Sequence, residues 1–168
     1  MKYEFVPGDE KVIAPGRTVK RIRALVAITA FGVSSGDLGG YIESDKNLAQ
    51  VYGDAWVYGN ARVYGDAWVY GNAQVYGDAR VYGDAWVYGN ARVYGDGLIV
   101  WFSNVGSENG TLTAYNAKDN EIEVTRGCFK GSIDEFLAAS KKKHDDQTHL
   151  EYRLLIEVAH SRITRARK

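Results

Sequence analysis

Side chains that could carry covalent or metal chemistry are few in this chain of 168 residues. The three histidines, His144, His149 and His160, all lie in the last part of the sequence, outside its repeated region. Cys128 is the only cysteine, so one chain can form neither a disulfide nor a paired-thiol site. No Ser/His/Asp cluster or phosphate-binding loop is recognisable. The sequence therefore predicts a protein that is not an enzyme and carries no cofactor.

Aromatic and arginine side chains, in contrast, recur every six residues. From Val51 onward the chain contains eight successive units: VYGDAW, VYGNAR, VYGDAW, VYGNAQ, VYGDAR, VYGDAW, VYGNAR and VYGDGL. Such side chains bind by stacking, by cation–π contacts and by burial at interfaces. The candidate binding residues are Trp56, Trp68, Trp86, Tyr58, Tyr64, Tyr76, Tyr82, Arg62, Arg80 and Arg92.

Three interpretations of these side chains remain open. The rings can stabilise flat β-faces as ladders in which each ring covers its neighbour. A contiguous aromatic patch can also mark an interface, because soluble monomers rarely expose large apolar areas, and Trp68 with Trp86 is then the best candidate for self-association. The same rings, together with the arginines, can form a stacking platform for bases or nucleotides.

Aspartates recur in the same units and allow two further interpretations. If the units stack, Asp66 and Asp84 share one corner of the fold, and Asp78 and Asp96 share another. Paired carboxylates favour cations. Asp and Asn are also the non-glycine residues that best tolerate a left-handed backbone. We predict solvated corner residues and no metal site.

The six-residue period determines which elements position these side chains. An α-helix would spread the valines around its surface, and the repeated glycine would cost about 1 kcal/mol per unit. Short strands with sharp corners suit the pattern, with Val pointing inward and with Tyr and the residue before Val pointing outward. Three units then make one coil of 18 residues, and coils stack by parallel pairing. The predicted inward columns are Val51/Val69/Val87, Val57/Val75/Val93 and Val63/Val81/Ile99.

This pattern resembles the hexapeptide-repeat superfamily, in which an aliphatic residue, variable or Gly/Asp positions and a small residue build a left-handed parallel β-helix. The resemblance covers roughly residues 39–104, including the weaker units at 39–44 and 45–50 and a degenerate ninth unit at 99–104. It implies a three-sided solenoid. Enzymes of the superfamily place catalytic or zinc-binding histidines on their coils, and here the repeats contain none. A hexapeptide-repeat acyltransferase therefore stays as an alternative only.

The flanking sequences predict a mainly β protein with four parts. Residues 1–38 read as strands that cap the exposed end of the solenoid. The left-handed β-helix is predicted over 39–110, and 111–131 form a β-hairpin. Ser132-Ile-Asp-Glu135 is a capping box that opens a helical hairpin over 132–168, with a second helix starting at Asp145-Asp146.

A second resemblance covers nearly the whole chain. The segment GDLGGYIES at 36–44 and the segment GCFKGSIDEF at 127–136 look like those of small hexapeptide-repeat proteins common in phages and prophages. This resemblance implies a phage context. Phage accessory proteins often act by binding and blocking host molecules, so by analogy we expect a non-catalytic binding or scaffold protein in the cytoplasm of a host cell. It would act on a host protein or a small signal molecule, such as a nucleotide, and could counter host defence. We also expect a homo-oligomer, a dimer or trimer, formed through an aromatic β-face or through the C-terminal helices.

Bulk composition is consistent with these expectations. Lysine plus arginine equal aspartate plus glutamate, 21 of each, so no global charge draws the protein to nucleic acid or to a membrane. No run of roughly 20 apolar residues is present that could span a bilayer. Binding of nucleotides or nucleic acid through the Tyr/Trp/Arg faces remains the second alternative.

Overall fold

A computed structural model describes residues 1–95, 97–117 and 120–167. Within these residues the chain is mainly β and contains two α-helices. It divides into two compact units, Met1–Gly95 and Asp96–Lys168. Neither of the described helices is long and apolar enough to cross a membrane.

The first unit begins with a long antiparallel hairpin. Strand β1 (Tyr3–Ala14) pairs with β2 (Arg17–Ala24), and β2 pairs antiparallel with β3 (Leu38–Ile42). Strand β3 then pairs in parallel with a strand of the repeats. The hairpin and one face of the repeats therefore form a single five-stranded sheet.

Each repeat strand joins the last residue of one unit to the first residue of the next. The strands are β4 (Trp56–Val57), β5 (Arg62–Val63), β6 (Trp68–Val69), β7 (Gln74–Tyr76), β8 (Arg80–Val81), β9 (Trp86–Val87) and β10 (Arg92–Tyr94). They pair in parallel at the predicted spacing, as Arg62 with Arg80 and Trp68 with Trp86. Three small parallel stacks result, β3-β5-β8, β4-β7-β10 and β6-β9. This arrangement is a β-solenoid.

The interior of the repeats is aliphatic, as predicted. The columns Val57/Val75/Val93, Val63/Val81 and Val69/Val87 are fully buried, and so is the alanine of every unit from Ala55 to Ala91. Backbone amides bond to carbonyls of the following coil, for example Tyr58 N to Val75 O at 2.8 Å. The solenoid is thus held by small side chains inside and by coil-to-coil hydrogen bonds around its perimeter.

The first coil departs from the predicted register. Val51 is 81% exposed, and Leu48 takes the inward position, where it bridges to Val69. The inward residues Ile42 and Leu48 are six residues apart, but Leu48 and the next inward residue, Val57, are nine apart. The segment between Leu48 and Val57 therefore holds three extra residues, and Ile42 pairs with Val63 at a spacing of 21 residues. The weaker upstream units therefore do not share the register of the later ones.

The corners also differ from the prediction in one detail. The glycine at the third position of each unit has a positive φ, between 55° at Gly59 and 75° at Gly53. No aspartate or asparagine at the fourth position does so among the described residues. Glycine reaches this region without a steric cost, so it, rather than its polar neighbour, makes the left-handed step.

The second unit contains a four-stranded antiparallel sheet. Its strands are β11 (Ile99–Val105), β12 (Gly110–Asn116), β13 (Ile122–Arg126) and β14 (Phe129–Ser132), arranged in chain order. The predicted hairpin corresponds to β12 and β13. The predicted ninth unit is wrong as a solenoid strand, because Ile99 pairs antiparallel with Tyr115. The strand pattern thus changes well before residue 110.

Both predicted helix starts are confirmed. Helix α1 (Ile133–Lys143) opens with the capping box of Ser132 and Glu135, and α2 (Asp146–Ala166) is capped by the Asp145 carboxylate, which accepts from Thr148 N at 2.7 Å. The two helices pack on the antiparallel sheet. The core of this unit contains Leu98, Leu112, Ala114, Ile122, Val124, Phe136, Tyr152, Ile156, Ala159 and Ile163.

Candidate interaction surface

The β6-β9 stack carries an aromatic surface, which we call the tryptophan face: Trp68, Tyr70, Trp86 and Tyr88. Val69 and Val87 point inward on these strands, so the residues on either side of each valine point outward together. Trp68 stacks on Tyr70 with ring centroids 4.0 Å apart and meets Trp86 edge-on at 5.9 Å. Tyr70 stacks on Tyr88 at 4.7 Å. The four rings therefore form one continuous cluster.

The four rings of the tryptophan face differ in their exposure to solvent. Trp86 is 44% exposed, whereas Trp68, Tyr70 and Tyr88 are half-buried by their neighbours. Burial, aided by the nearby Tyr88, raises the pKa of Tyr70 to about 12. The structure thus combines two of the interpretations above, because the rings form a ladder and still offer apolar area.

A different surface, the arginine face, lies on the β3-β5-β8 sheet: Arg17, Arg62, Arg80, Tyr64 and Tyr82. Tyr64 and Tyr82 stack almost in parallel, with centroids 5.1 Å apart and planes inclined by 4°. The Arg17 guanidinium lies over the Tyr64 ring, 5.5 Å from its centroid. Burial and Tyr82 raise the pKa of Tyr64, while Arg80, Arg17 and Arg62 oppose that shift. Three cationic groups therefore surround one tyrosine stack.

Acidic groups beside the arginine face offset part of its charge. Glu43 forms an ion pair with Arg17 at 3.3 Å and also accepts from Gly65 N at 2.6 Å. At the adjacent corner, Lys46 bonds to Asp66 at 2.9 Å and holds the pKa of that carboxyl below its usual value. The face is thus a mixed surface with a basic centre. Arg17 was not among the predicted residues, because it comes from the hairpin and nothing in the repeat indicates its place.

The remaining candidates lie on the β4-β7-β10 stack, and for one of them, Trp56, the prediction of a binding residue is wrong. Trp56 is only 1% exposed, because β1 covers the first coil and Tyr3 packs edge-on against the indole at 6.4 Å. It is a core residue and belongs to no binding surface. Tyr58, Tyr76 and Arg92 do lie on the outside, with the Tyr58 and Tyr76 rings 6.3 Å apart.

The contacts that cover Trp56 were also not predicted. The Lys2 ammonium donates to Ala55 O at 2.8 Å, and the Tyr3 hydroxyl donates to Leu48 O at 2.9 Å. Burial lowers the pKa of Lys2 to about 8, although Asp54 acts in the opposite direction. These contacts are long-range, so the pattern of the repeats carries no sign of them.

Groups capable of catalysis are not assembled on either face. The histidines belong to the second unit, where His149 Nδ1 lies 3.1 Å from Ser140 Oγ and His144 follows the last turn of α1. In the part of the chain that the structure describes, no three His, Cys, Asp or Glu side chains are grouped closely enough to hold a metal. Of the predicted aspartate pairs, Asp78/Asp96 lies partly outside the described residues, since Asp96 is not among them.

The similarity to known proteins lies in the repeats. Residues 55–71, 73–89 and 85–99 match the family model described as the YdcK beta solenoid repeat. A search of curated proteins finds no significant match. The matched stretches coincide with the strands that stack in parallel, and so geometry and sequence similarity agree that this chain is a β-solenoid repeat protein.

Proposed function

We propose that this chain is a non-catalytic binding protein in which a left-handed β-helix of the hexapeptide-repeat type presents the tryptophan face to a protein partner. The observation that carries the proposal is the unbroken series of ring contacts that runs from Tyr88 through Tyr70 and Trp68 to the half-exposed Trp86. Clustered aromatic anchors of this kind supply most of the binding energy at protein interfaces. The parallel pairing at 18-residue spacing supports the coil geometry.

We propose that the partner is a host protein, which this chain binds in the cytoplasm of a phage-infected cell. This part of the proposal is supported by the resemblance of segments 36–44 and 127–136 to phage and prophage hexapeptide-repeat proteins. A flat, rigid β-face suits a protein partner, because the rings are held in place before binding and little side-chain entropy is lost. A host-defence component would be a suitable target for such a protein.

The test uses two single substitutions in equivalent repeat strands. Immobilised wild-type protein, Trp86→Ala and Tyr94→Ala are exposed to host extract, and each captured protein is purified and titrated. Tyr94 is 58% exposed and lies outside the tryptophan face, so it is the matched control. We expect Trp86→Ala to weaken binding at least about tenfold, as for an interface anchor, and Tyr94→Ala to leave it within about twofold. Equal affinities for all three would refute the proposal.

The arginine face supports a second candidate function, binding of a nucleotide. Three guanidinium groups around the stacked Tyr64 and Tyr82 offer charge for phosphates beside aromatic rings, the combination that single-stranded nucleic-acid sites use. Purified protein would then show excess absorbance at 260 nm or be stabilised by added nucleotides. Loss of that stabilisation in Arg62→Ala plus Arg80→Ala would place the site. A thermal shift unchanged by these substitutions would remove this candidate.

The non-catalytic part of the proposal is tested separately. A hexapeptide-repeat acyltransferase would bind its acyl donor, so acetyl-CoA would raise its melting temperature. We expect no shift with this protein, because its histidines lie outside the repeats and on no aromatic face. A positive shift that disappears in His144→Ala, His149→Ala or His160→Ala would favour the enzyme.

A further inference from the structure

Helix α2 carries an apolar stripe on the side away from its core. Tyr152, Ile156, Ala159 and Ile163 are buried against the sheet of the second unit. Leu150, Leu154 and Val158 are instead 40%, 51% and 48% exposed. Their spacing of four residues places them in one row about 12 Å long.

The surroundings of this stripe are charged, and the charge differs between its two ends. The first turn of α2 bears Asp146 next to the capping residue Asp145, while the last turns bear Arg162 and Arg165, all of them exposed. Each end thus has the charge that complements its own helix dipole. The acidic end of one such helix is also complementary to the basic end of another.

We propose that a second copy of this chain packs on the stripe, with the two α2 helices antiparallel. Pairing centred on Leu154 places Leu150 opposite the partner's Val158, and the reverse, because both are four residues from the centre. Asp146 and Arg162 are each eight residues from it, so the acidic turn of one copy lies at the height of the basic turn of the other. A parallel arrangement would bring like charges and like helix ends together. The interface goes beyond the proposed binding function, since it uses neither aromatic nor arginine face.

The test is sedimentation velocity of the full chain over a wide concentration range. We expect wild-type protein to pass from monomer to dimer as concentration rises, and Leu154→Glu to stay monomeric, because a carboxylate would be buried at the centre of the interface. Val12→Glu is the matched control: Val12 is 77% exposed on β1 of the first unit, and this variant should behave as wild type. Leu154→Ser, a milder change, should weaken the dimer at least about tenfold, and circular dichroism confirms that each variant is folded.

Charge exchange tests the orientation. Asp146→Arg and Arg162→Asp should each weaken the dimer, and the double variant should restore it. Wild-type protein that remains monomeric at all concentrations would overturn the proposal, because no second copy would then bind the stripe. A dimer that survives Leu154→Glu, or one that Asp146→Arg strengthens, would overturn the interface or its antiparallel arrangement. The capture experiments with Trp86→Ala are unaffected by either result.

Discussion

The two units solve the problem of a stable interior in opposite ways. From Ala55 to Val93, every repeat buries its valine and its alanine, so neighbouring coils meet through the same side chains. In Asp96–Lys168 the core combines side chains of unequal size, such as Leu112, Phe136 and Tyr152. The stability of the repeats depends on contact between neighbouring coils, whereas the stability of the second unit depends on side chains of complementary shape. A repeat can therefore vary its exterior side chains while its interior side chains stay the same.

The largest effect is expected from a charge inside a middle coil. Val75→Asp places a carboxylate at a position with no exposed area, where it can be neither solvated nor paired. We expect a loss of at least about 4 kcal/mol and unfolding of the solenoid, because neighbouring coils lose their support. Hydrogen exchange would show loss of protection throughout 39–95, with protection of the second unit retained.

The chain itself supplies the control for that experiment. Val51 occupies the same position of the repeat, yet it is 81% exposed. Val51→Asp should change the free energy of unfolding by no more than about 0.5 kcal/mol. If the two substitutions had equal effects, the register with Leu48 inside would be wrong.

A cavity in the second unit should have the next largest effect. Phe136 is 4% exposed and meets Phe129 and Tyr152 edge-on, with centroids 5.3 and 5.1 Å away. Phe136→Ala should cost about 3–5 kcal/mol, whereas Phe136→Leu should cost clearly less because it leaves a smaller void. Denaturant unfolding followed by hydrogen exchange should place the loss in residues 97–167. Loss of protection in the repeats would show instead that the units do not unfold separately.

Corner glycines allow a finer test within the solenoid. Gly53 and Gly59 both have positive φ, and a side chain costs roughly 1–2 kcal/mol at either position. A Cβ on Gly53 would also lie 2.2 Å from Gly71 O, while one on Gly59 would meet no atom within 4 Å. Gly53→Ala should therefore destabilise the protein by at least about 1 kcal/mol more than Gly59→Ala, as measured by urea unfolding. Equal losses would mean that the coils are not in close contact at this corner.

The last expected effect depends on pH. Lys2 has a pKa lowered to about 8 in the folded protein, against an ordinary value of 10.5. Between these values the unfolded chain holds a proton that the folded chain has released, so the stability of the first unit should rise as pH increases from about 8 to 10. Lys2→Met should abolish this rise in unfolding midpoint, and Lys141→Met, at an exposed position on α1, should not. A midpoint that is flat over this window in wild-type protein would contradict the burial of the ammonium.

The solenoid could be predicted from sequence because its information is local and repeated. Eight copies of one unit determine the spacing, the inward valines and the outward rings without reference to distant residues. The first coil could not be predicted in the same way, since three extra residues lie between Leu48 and Val57 and the repeat gives no sign of them. The change to antiparallel pairing at Ile99 is equally non-local, because it depends on β12 as its partner.

The candidate surfaces were predictable to a similar extent. The pattern placed Trp68 and Trp86 in one row, and the structure has them in register. It could not show that Trp56, an equivalent position, is covered by Tyr3, nor that Arg17 joins the arginine face. Both facts come from the hairpin, whose sequence carries no period. Repetition therefore predicts what coils share, and contacts with non-repeated segments decide which positions stay accessible.

Near-identical coils have a consequence for how the chain finds its pairing. A slip of one whole coil would leave each valine on a valine and each alanine on an alanine, so the repeats cannot by themselves distinguish the correct partner from the next one. Trp56, which packs against Tyr3 of the hairpin, has no equivalent in the later coils, because the residues that stack on it are Gln74 and Arg92. This contact sets the alignment of the hairpin on a stack whose coils have the same interior.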